Sequence, residues 1–351
     1  MEILKILITG SGAPGIAGTL YSLRNNFDNR PVHVSGTDIR PRAVGRYLCD
    51  AFYQIERPER PEYLKRLMDI CTDQAIDVLI PQNTSELSIL AKNRGSFERL
   101  GTVVAVSSQR AIELSNNKQS VLNLASRLNL PIPESQTTDN FSDLKDIAKQ
   151  LGWPSESIVV KPPVSNGMRG MRIIDEKCDM KSMFYTEKPS SLLTTLEQLH
   201  SVLGDQFPDL MVSEFLPGDE YTCDVLGTEQ MTVVPRKRET IKSGITFDGS
   251  VEEREDIIEN VIILSKHLGL EYAFGFQFKL DKNGVPKLLE CNPRVQGTMV
   301  LSTLAGANII FGAVKLALKE EVPKFHIEWE TRLTRYWGAV GISRDRIIGL
   351  I

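Results

Sequence analysis

The chain has 351 residues, of which 41% are hydrophobic and 25% are charged, and its formal net charge is -4. This length suggests about two domains with a sizeable buried core. The slightly negative charge and the lack of a long basic run argue against a nucleic-acid-binding surface, and no apolar run approaches the roughly 20 residues of a membrane-spanning helix.

The cysteines give a second exclusion. The chain has 5 cysteines, which are scattered and form no Cys-x-x-Cys motif. This usage indicates reduced thiols and argues against a disulfide framework or a structural zinc site. Because Met1 leads directly into a strand-like run, the sequence favours a cytoplasmic protein without a secretory leader.

The first hundred residues alternate predicted strands and helices. The predicted strands are 3–9, 32–37, 76–80 and 102–106, and the helices between them are 16–25, 61–72 and 85–94. This alternation predicts an α/β fold with an open parallel sheet and crossover helices.

A glycine-rich loop follows the first predicted strand. Gly10-Ser11-Gly12-Ala13-Pro14-Gly15 matches Gly-x-Gly-x-x-Gly, and Asp38 ends the next strand, as in dinucleotide-binding units. Backbone amides at a helix N-terminus bind other anions equally well. Three interpretations therefore stay open: a nicotinamide-type cofactor, part of another substrate, or a structural turn. The sequence contains no recognisable hydride-transfer site downstream.

From about residue 108 the pattern changes to an α+β type. Helices are predicted near 118–128 and 142–151, and antiparallel hairpins are predicted for 158–161 with 170–175 and for 210–215 with 221–227. An amphipathic helix is predicted at 256–268, and 297–318 is mostly helical. The tail after Glu321 is expected to fold back onto a domain.

Several side chains in this region suit a nucleotide. Lys161 ends an apolar strand, and a loop containing Ser165, Gly167 and Arg169 follows it; lysine and loop amides are phosphate ligands. The backbone of Glu214, Phe215 and Leu216 is a candidate for the adenine edge, and Glu220 for the ribose hydroxyls. Guanidinium groups suit phosphate or carboxylate, which makes Arg236 and Arg294 candidates as well.

The most informative pattern is a hairpin near residue 281. Asp281-Lys282-Asn283-Gly284 is a turn signal between two apolar runs, so the sequence predicts two antiparallel strands. Gln277 is then roughly opposite Glu290, and Asn292 shares a face with Glu290 because residues two apart in a strand point the same way. Oxygen ligands of this kind suit nucleotide-bound magnesium.

The chain resembles the ATP-grasp superfamily, in particular its carbamoyl-phosphate-synthase-like branch of carboxylate–amine ligases. The resemblance is carried by an ordered set of residues: Lys118, Lys161, the loop 165–170, Glu214, Glu220, Gln277 and the run Glu290-Cys291-Asn292-Pro293-Arg294. It implies a pre-ATP-grasp domain at 1–110, an ATP-grasp domain at 111–320 with a lid subdomain at about 120–212, and a C-terminal segment at 321–351 that packs on the core.

The resemblance also implies an activity. Lys118 and Lys161 would hold the phosphates of ATP, and Gln277, Glu290 and Asn292 would bind one or two Mg²⁺ ions, with Mn²⁺ as the alternative. Arg294 and Arg236 would stabilise transfer of the γ-phosphoryl group to a small-molecule carboxylate, and an amine would then attack the acyl phosphate. Gly12, Ser85 and Glu86 are expected to line the substrate pocket, and a homodimer is the default assembly.

Two other classes of function stay open beside the ligase. One is a non-catalytic ATP-binding sensor or complex subunit, and the other is an NAD-dependent oxidoreductase that uses the loop Gly10 to Gly15. A further variant of the ligase hypothesis is a kinase-like or carboxylase-like enzyme, whose reaction stops at the transfer of phosphate or carboxyphosphate.

Overall fold

The N-terminal part of the chain forms an open parallel sheet, as its alternating pattern predicts. The computed structural model describes residues 2–163, 170–186, 192–242, 244–344 and 346–351. The strands of the first sheet are β1 (Leu4–Ile8), β2 (Val32–Asp38), β3 (Ala51–Gln54), β4 (Val78–Ile80) and β5 (Val103–Val104). Their order is β3-β2-β1-β4-β5, and the pairs are parallel.

Helices connect these strands. They are α1 (Ile16–Arg24), α2 (Gly45–Leu48), α3 (Glu62–Gln74), a 3₁₀ turn (Thr84–Glu86), α4 (Leu87–Lys92), α5 (Arg94–Glu98) and α6 (Gln109–Asn116). Three details differ from the sequence prediction. Strand β3 and helix α2 were not predicted, because four residues are too few for a clear periodic pattern. The single helix predicted at 85–94 is a 3₁₀ turn followed by two short helices.

A second group of elements follows. They are α7 (Lys118–Arg127), β6 (Ser135–Asn140), α8 (Phe141–Gln150), β7 (Ile158–Lys161), β8 (Arg172–Ile174), α9 (Met180–Thr186), β9 (Leu193–Thr194), α10 (Leu196–Leu203) and β10 (Gln206–Glu214). The strands form one sheet in the order β6-β10-β7-β8-β9. Strands β7 and β8 are antiparallel, as predicted. Apolar side chains of α8, α10 and the sheet form their own core.

The remaining elements form a six-stranded sheet, its helices and a separate two-stranded sheet. They are β11 (Glu220–Gly227), β12 (Thr232–Lys242), β13 (Ile245–Val251), α11 (Glu255–Leu268), β14 (Tyr272–Leu280), β15 (Pro286–Asn292), α12 (Val300–Leu304), α13 (Ile309–Ala317), β16 (Arg332–Thr334), β17 (Val340–Ser343) and β18 (Arg346–Leu350). The sheet order is β15-β14-β11-β12-β13-β16, and β17 pairs with β18 separately. The predicted helix at 256–268 is confirmed as α11.

The predicted hairpin of 210–215 with 221–227 is wrong. Strand β10 lies in the five-stranded sheet and β11 in the six-stranded sheet. The reason is visible at the link between them: the Gly218 amide donates to the Leu280 carbonyl, and the Leu280 amide donates to the Asp219 carbonyl, at 3.0 and 2.9 Å. The Pro-Gly pair therefore leads the chain alongside the end of β14 and does not close a tight turn.

The chain divides into two units. The first unit contains Met1–Asn116, Glu220–Phe278 and Glu290–Ile351, and the second contains Asn117–Asp219 and Lys279–Leu289. In the first unit one hydrophobic core joins the parallel sheet and α1 to α12 and α13, with Ile6, Leu20 and Phe311 fully buried or nearly so. Through this core, α12 and α13 pack against the N-terminal sheet. The three predicted domain ranges stay a prediction.

The tail contributes to the first unit. Strand β16 pairs antiparallel with β13, and Trp329 packs against the main core. Across the described ranges, no helix is both long and apolar enough to cross a lipid bilayer.

Candidate functional site

The turn of the predicted hairpin forms as its sequence indicates. The Asp281 amide donates to the Val285 carbonyl at 3.0 Å. The Asp281 carboxylate accepts the amides of Asn283 and Val285 at 2.8 and 2.9 Å, and Gly284 has a φ of 81° that favours glycine. These contacts fix the local geometry, and β14 and β15 are neighbours in the sheet.

Two of the three predicted metal ligands touch each other. The Asn292 side-chain amide donates to Glu290 Oε1 at 3.0 Å, and Cys291 between them is buried on the opposite face. Gln277 lies on the adjacent strand, half-buried between the buried Phe276 and Phe278. The alternation of the strands therefore produces the expected shared face for Glu290 and Asn292.

The chemistry of these side chains fits a hard cation. One carboxylate and two amide oxygens are suitable ligands for magnesium that keeps waters and phosphate oxygens in its shell. Within the described part of the chain, no group of three or more His, Cys, Asp or Glu residues could hold a metal ion. That finding does not bear on this trio, which has a single carboxylate.

Arg294 follows the ligands directly and is half-buried. Its Nε donates to Thr84 Oγ1 at 3.1 Å and its Nη1 to the Val295 carbonyl at 3.0 Å, while Nη2 lies 3.5 Å from Asn292 Oδ1. Burial lowers the pKa of the guanidinium, and the carboxylates of Glu290 and Glu86 act in the opposite direction. Both carboxylates thus attract the positive charge of Arg294.

Arg236, the second predicted catalytic arginine, lies in a buried ion pair. It is 1% exposed, and its Nε and Nη2 donate to both oxygens of Asp224 at 2.6 and 2.8 Å. The Ser302 hydroxyl also donates to Asp224, at 2.6 Å. Among the described residues, Nη1 has no hydrogen-bond partner. The pair is a structural feature that sequence reasoning did not foresee, and a phosphate contact would have to use Nη1.

Arg335 is a partly buried arginine near Arg236 that the sequence did not single out. Its Nη2 donates to the Gly297 carbonyl at 2.8 Å and reaches Thr298 Oγ1 at 3.3 Å, and its Nε donates to the Thr246 carbonyl at 3.0 Å. Burial and, secondarily, the charge of Arg236 lower its pKa. Nothing in the local pattern singles out an arginine in the tail, because only strand β16 brings it beside Arg236.

The predicted nucleotide residues of the second unit have protein partners. Glu214 accepts the Glu134 amide at 2.9 Å and forms an ion pair with Lys287, and its own amide donates to the Glu134 carbonyl. Lys118 begins α7 and Lys161 ends β7. Because the Glu214 amide is already paired, a contact of adenine with this residue would have to use its carbonyl, beside the backbone of Phe215 and Leu216.

The other predicted nucleotide residues are Glu220 and three residues of the loop 165–170. Glu220, in the first unit, forms an ion pair with Arg238, so ribose binding would have to share or replace that pair. Ser165, Gly167 and Arg169 lie outside the described residues. Their predicted role as a lid over the phosphates stays a prediction.

The glycine loop is closed by its own neighbours. Asp38 Oδ2 accepts the Gly12 amide at 2.8 Å, and Arg40 donates to the Gly12 carbonyl at 2.8 Å and to Asp38 Oδ1 at 3.2 Å. A Cβ on Gly15 would lie 2.7 Å from Gly297 Cα. Asp38 is therefore occupied, and another chain segment covers the start of α1, where a dinucleotide pyrophosphate would bind.

Glu86 lies in a buried network beneath the same loop, whereas its neighbour Ser85 is exposed. The Glu86 carboxylate accepts the hydroxyls of Thr9 and Tyr63, the latter at 2.6 Å, and the amides of Gln82 and Asn83 at 3.2 and 2.9 Å. Burial raises the pKa of Glu86, and these hydrogen bonds favour its ionised form. With four donors around it, Glu86 is a structural anchor, and its predicted direct contact with substrate stays untested.

Three family models match consecutive parts of the chain. The model described as "PylC-like, N-terminal domain" matches residues 6–105, and the model "Carbamoyl-phosphate synthase L chain, ATP binding domain" matches 117–197. The model "ATP-grasp in the biosynthetic pathway with Ter operon" matches 206–337.

Curated relatives align over most of this chain. The arginine-specific large chain of carbamoyl phosphate synthase from Neurospora crassa is 22% identical over 336 residues, which are 92% of this chain and 28% of that protein. Pyruvate carboxylase from Aspergillus terreus is 23% identical over 90% of this chain and 27% of its own length. The chain thus spans less than a third of either relative.

Solved structures share the fold. N5-carboxyaminoimidazole synthetase from Staphylococcus aureus, complexed with ADP, has a TM-score of 0.65 at 15% identity, over 93% of this chain and 80% of that one. Biotin carboxylase from Campylobacter jejuni, complexed with β,γ-ATP, has a TM-score of 0.65 at 18% identity, over 93% and 74%. The family matches and the fold agree along the chain, and together they support a relation to the ATP-grasp superfamily, in its carbamoyl-phosphate-synthase-like branch.

Proposed function

We propose that this chain is a magnesium- and ATP-dependent ligase that activates a carboxylate as an acyl phosphate and joins it to an amine. The observation that carries the proposal is the contact of Glu290 with Asn292 on β15, with Arg294 immediately after them. Carboxylate, amide and guanidinium together suit a cation and a phosphoryl group undergoing transfer.

The chemistry has two steps. A carboxylate oxygen attacks the γ-phosphorus of ATP, so that a new O–P bond forms as the bond to the β-phosphate oxygen breaks and ADP leaves. The amine nitrogen then attacks the acyl carbon, the C–O bond to phosphate breaks, and the nitrogen loses a proton. The first step spreads negative charge over the transferred group. Arg294, which two carboxylates attract and which donates to Thr84, would offset that charge.

The proposed ligands follow the residues described above. Magnesium held by Gln277, Glu290 and Asn292 would neutralise phosphate oxygens, and Mn²⁺ could replace it. For the nucleotide we propose Lys118 and Lys161 at the phosphates, the Glu214 carbonyl with the backbone of Phe215 and Leu216 at adenine, and Glu220 at ribose. Solved structures of this fold in complex with ADP or MgADP support the binding of a nucleotide.

The carboxylate and the amine are small molecules of unidentified structure in this proposal. The biotin carboxylase domain of 2-oxoglutarate carboxylase from Hydrogenobacter thermophilus, which shares this fold, is a dimer in complex with MgADP, ADP and bicarbonate. Bicarbonate is therefore one carboxylate to test, beside amino acids and other organic acids, and a homodimer is the assembly that we expect.

The test is an ADP-release screen over paired carboxylates and amines, with mass detection of condensed products. Hydroxylamine added in place of the amine should trap the acyl phosphate as a hydroxamate. Glu290→Ala should reduce ADP release by more than about a hundredfold, because a lost metal ligand removes electrostatic stabilisation of the transfer. Glu59→Ala, which changes an exposed glutamate, should behave as the wild type.

Other outcomes identify the competing functions. Nucleotide binding without ADP release for any substrate pair would indicate a sensor or a complex subunit. A change in nicotinamide absorbance would indicate an oxidoreductase, although the closed loop around Gly12 and Asp38 does not favour one. Equal ADP release by Glu290→Ala and the wild type would refute the assigned metal site.

A further inference from the structure

The Arg294 side chain has an acceptor from a distant part of the first unit. Its Nε donates to the hydroxyl of Thr84, 210 residues earlier in the chain. The other nitrogens contact local groups, namely the Val295 carbonyl and Asn292 Oδ1. The orientation of the guanidinium therefore depends on a side chain that the N-terminal sheet provides.

Thr84 is held in place by a buried turn. It opens the 3₁₀ turn Thr84–Glu86, in which Asn83 and Glu86 form a capping box. Glu86 is 1% exposed and accepts hydrogen bonds from the side chains of Thr9 and Tyr63. A carboxylate fixed by four donors allows the turn little freedom, so the Thr84 hydroxyl is a preorganised acceptor.

Because charged groups surround Arg294, loss of the Thr84 acceptor is expected to change the orientation of its side chain. Glu86 and Glu290 both attract the guanidinium, and Asn292, which is 3.5 Å from Nη2, donates to Glu290 at 3.0 Å. If Nε lost its acceptor, an unpaired N–H would remain in a half-buried place. The side chain would then be free to turn towards Glu290 and to compete with a cation for that carboxylate.

We propose that Thr84 is a positioning residue: it holds Arg294 in the orientation that serves phosphoryl transfer and limits competition between Arg294 and a metal ion for Glu290. The inference deepens the proposed function and rests on it. It assigns to the N-terminal sheet a part in transfer as well as in shaping the fold.

The test uses Thr84→Val, which keeps the shape of the side chain and removes the hydroxyl. The expected result is a kcat about tenfold lower, equivalent to about 1.4 kcal/mol in the barrier, with the KM for ATP changed by less than about twofold. The Mg²⁺ concentration for half-maximal activity should rise several-fold. Thr84→Ser should restore both values, and Thr72→Val, a matched change on the exposed side of α3, should alter neither.

A double-mutant cycle decides between positioning and a general structural effect. In an Arg294→Ala background, Thr84→Val should cause no further loss, because its effect passes through the arginine. An equal loss in both backgrounds, or an unchanged Mg²⁺ requirement, would overturn the inference.

A failure of the ligase proposal would be recognised separately. If the wild-type chain released no ADP, the same comparison would use Mg²⁺-dependent thermal stabilisation of the protein by ADP. Thr84→Val must then need more Mg²⁺ than the wild type for the same stabilisation. Identical Mg²⁺ curves would refute the role of Thr84.

Discussion

The buried pair of Asp224 with Arg236 gives the sharpest prediction about stability. Asp224 is 0% exposed and accepts two guanidinium nitrogens and the Ser302 hydroxyl at 2.6–2.8 Å. Removing one partner of such a pair costs about 3–5 kcal/mol, because the other charge stays buried without compensation. We therefore expect Arg236→Met to lower the free energy of unfolding by about that amount.

Replacing both partners should be milder. Asp224→Leu with Arg236→Met removes both charges, a change that is often neutral or stabilising. The Ser302 hydroxyl then loses its acceptor, at a cost of about 1–3 kcal/mol. The double variant should thus lie within about 2 kcal/mol of the wild type and be more stable than either single variant.

Urea unfolding followed by intrinsic fluorescence measures these differences. A single variant that loses less than about 1 kcal/mol, or a double variant less stable than both singles, would refute the reasoning. The double variant also tests the predicted catalytic role of Arg236. If it folds and retains ADP release, the arginine is structural; if it folds and is inactive, the unpaired Nη1 takes part in transfer.

Two further predictions follow from close contacts in the first unit and from the hairpin turn. Gly15→Ala places a Cβ 2.7 Å from Gly297 Cα and should destabilise the chain by about 1–3 kcal/mol, whereas Gly297→Ala meets nothing within 4 Å and should be nearly neutral in the same urea assay. The Val285 amide, followed by other groups, lowers the pKa of Asp281. The Asp281 carboxylate therefore stabilises the hairpin fully above the ordinary aspartate pKa of about 3.9. This stabilisation is lost as the pH falls through the lower pKa of the folded state. Exchange of the Val285 amide, measured between pH 2 and 5 after correction for intrinsic rates, should show this loss in the wild type and no such dependence in Asp281→Ala.

Local patterns accounted for much of the fold. The apolar strand β1 and the helix α11 were predicted within one residue of their bounds, because burial sets their periodicity directly. The turn at Asp281 was predicted from its residues, which supply the backbone contacts themselves. The face shared by Glu290 and Asn292 followed from strand geometry alone.

The wrong hairpin prediction and the unexpected partner of Asp38 share a cause. Leu210 and Tyr221 lie in strands with the expected pattern, yet these strands join different sheets, since strand composition does not specify the pairing partner. Asp38 has the position of the acidic residue of dinucleotide-binding units, but it accepts the Gly12 amide beside Arg40. In both cases the competing partner was equally compatible with the local sequence.

The sequence by itself determined most of the elements, the candidate metal ligands of the hairpin and the resemblance to the ATP-grasp superfamily, because these depend on residues close together in the chain. The tertiary structure alone decided which polar and charged groups pair with each other. It placed Asp224 on Arg236, Thr84 on Arg294, and Arg335 beside Gly297. Such pairs form between strands and loops whose order is set by packing of the whole unit, and no local pattern records that order.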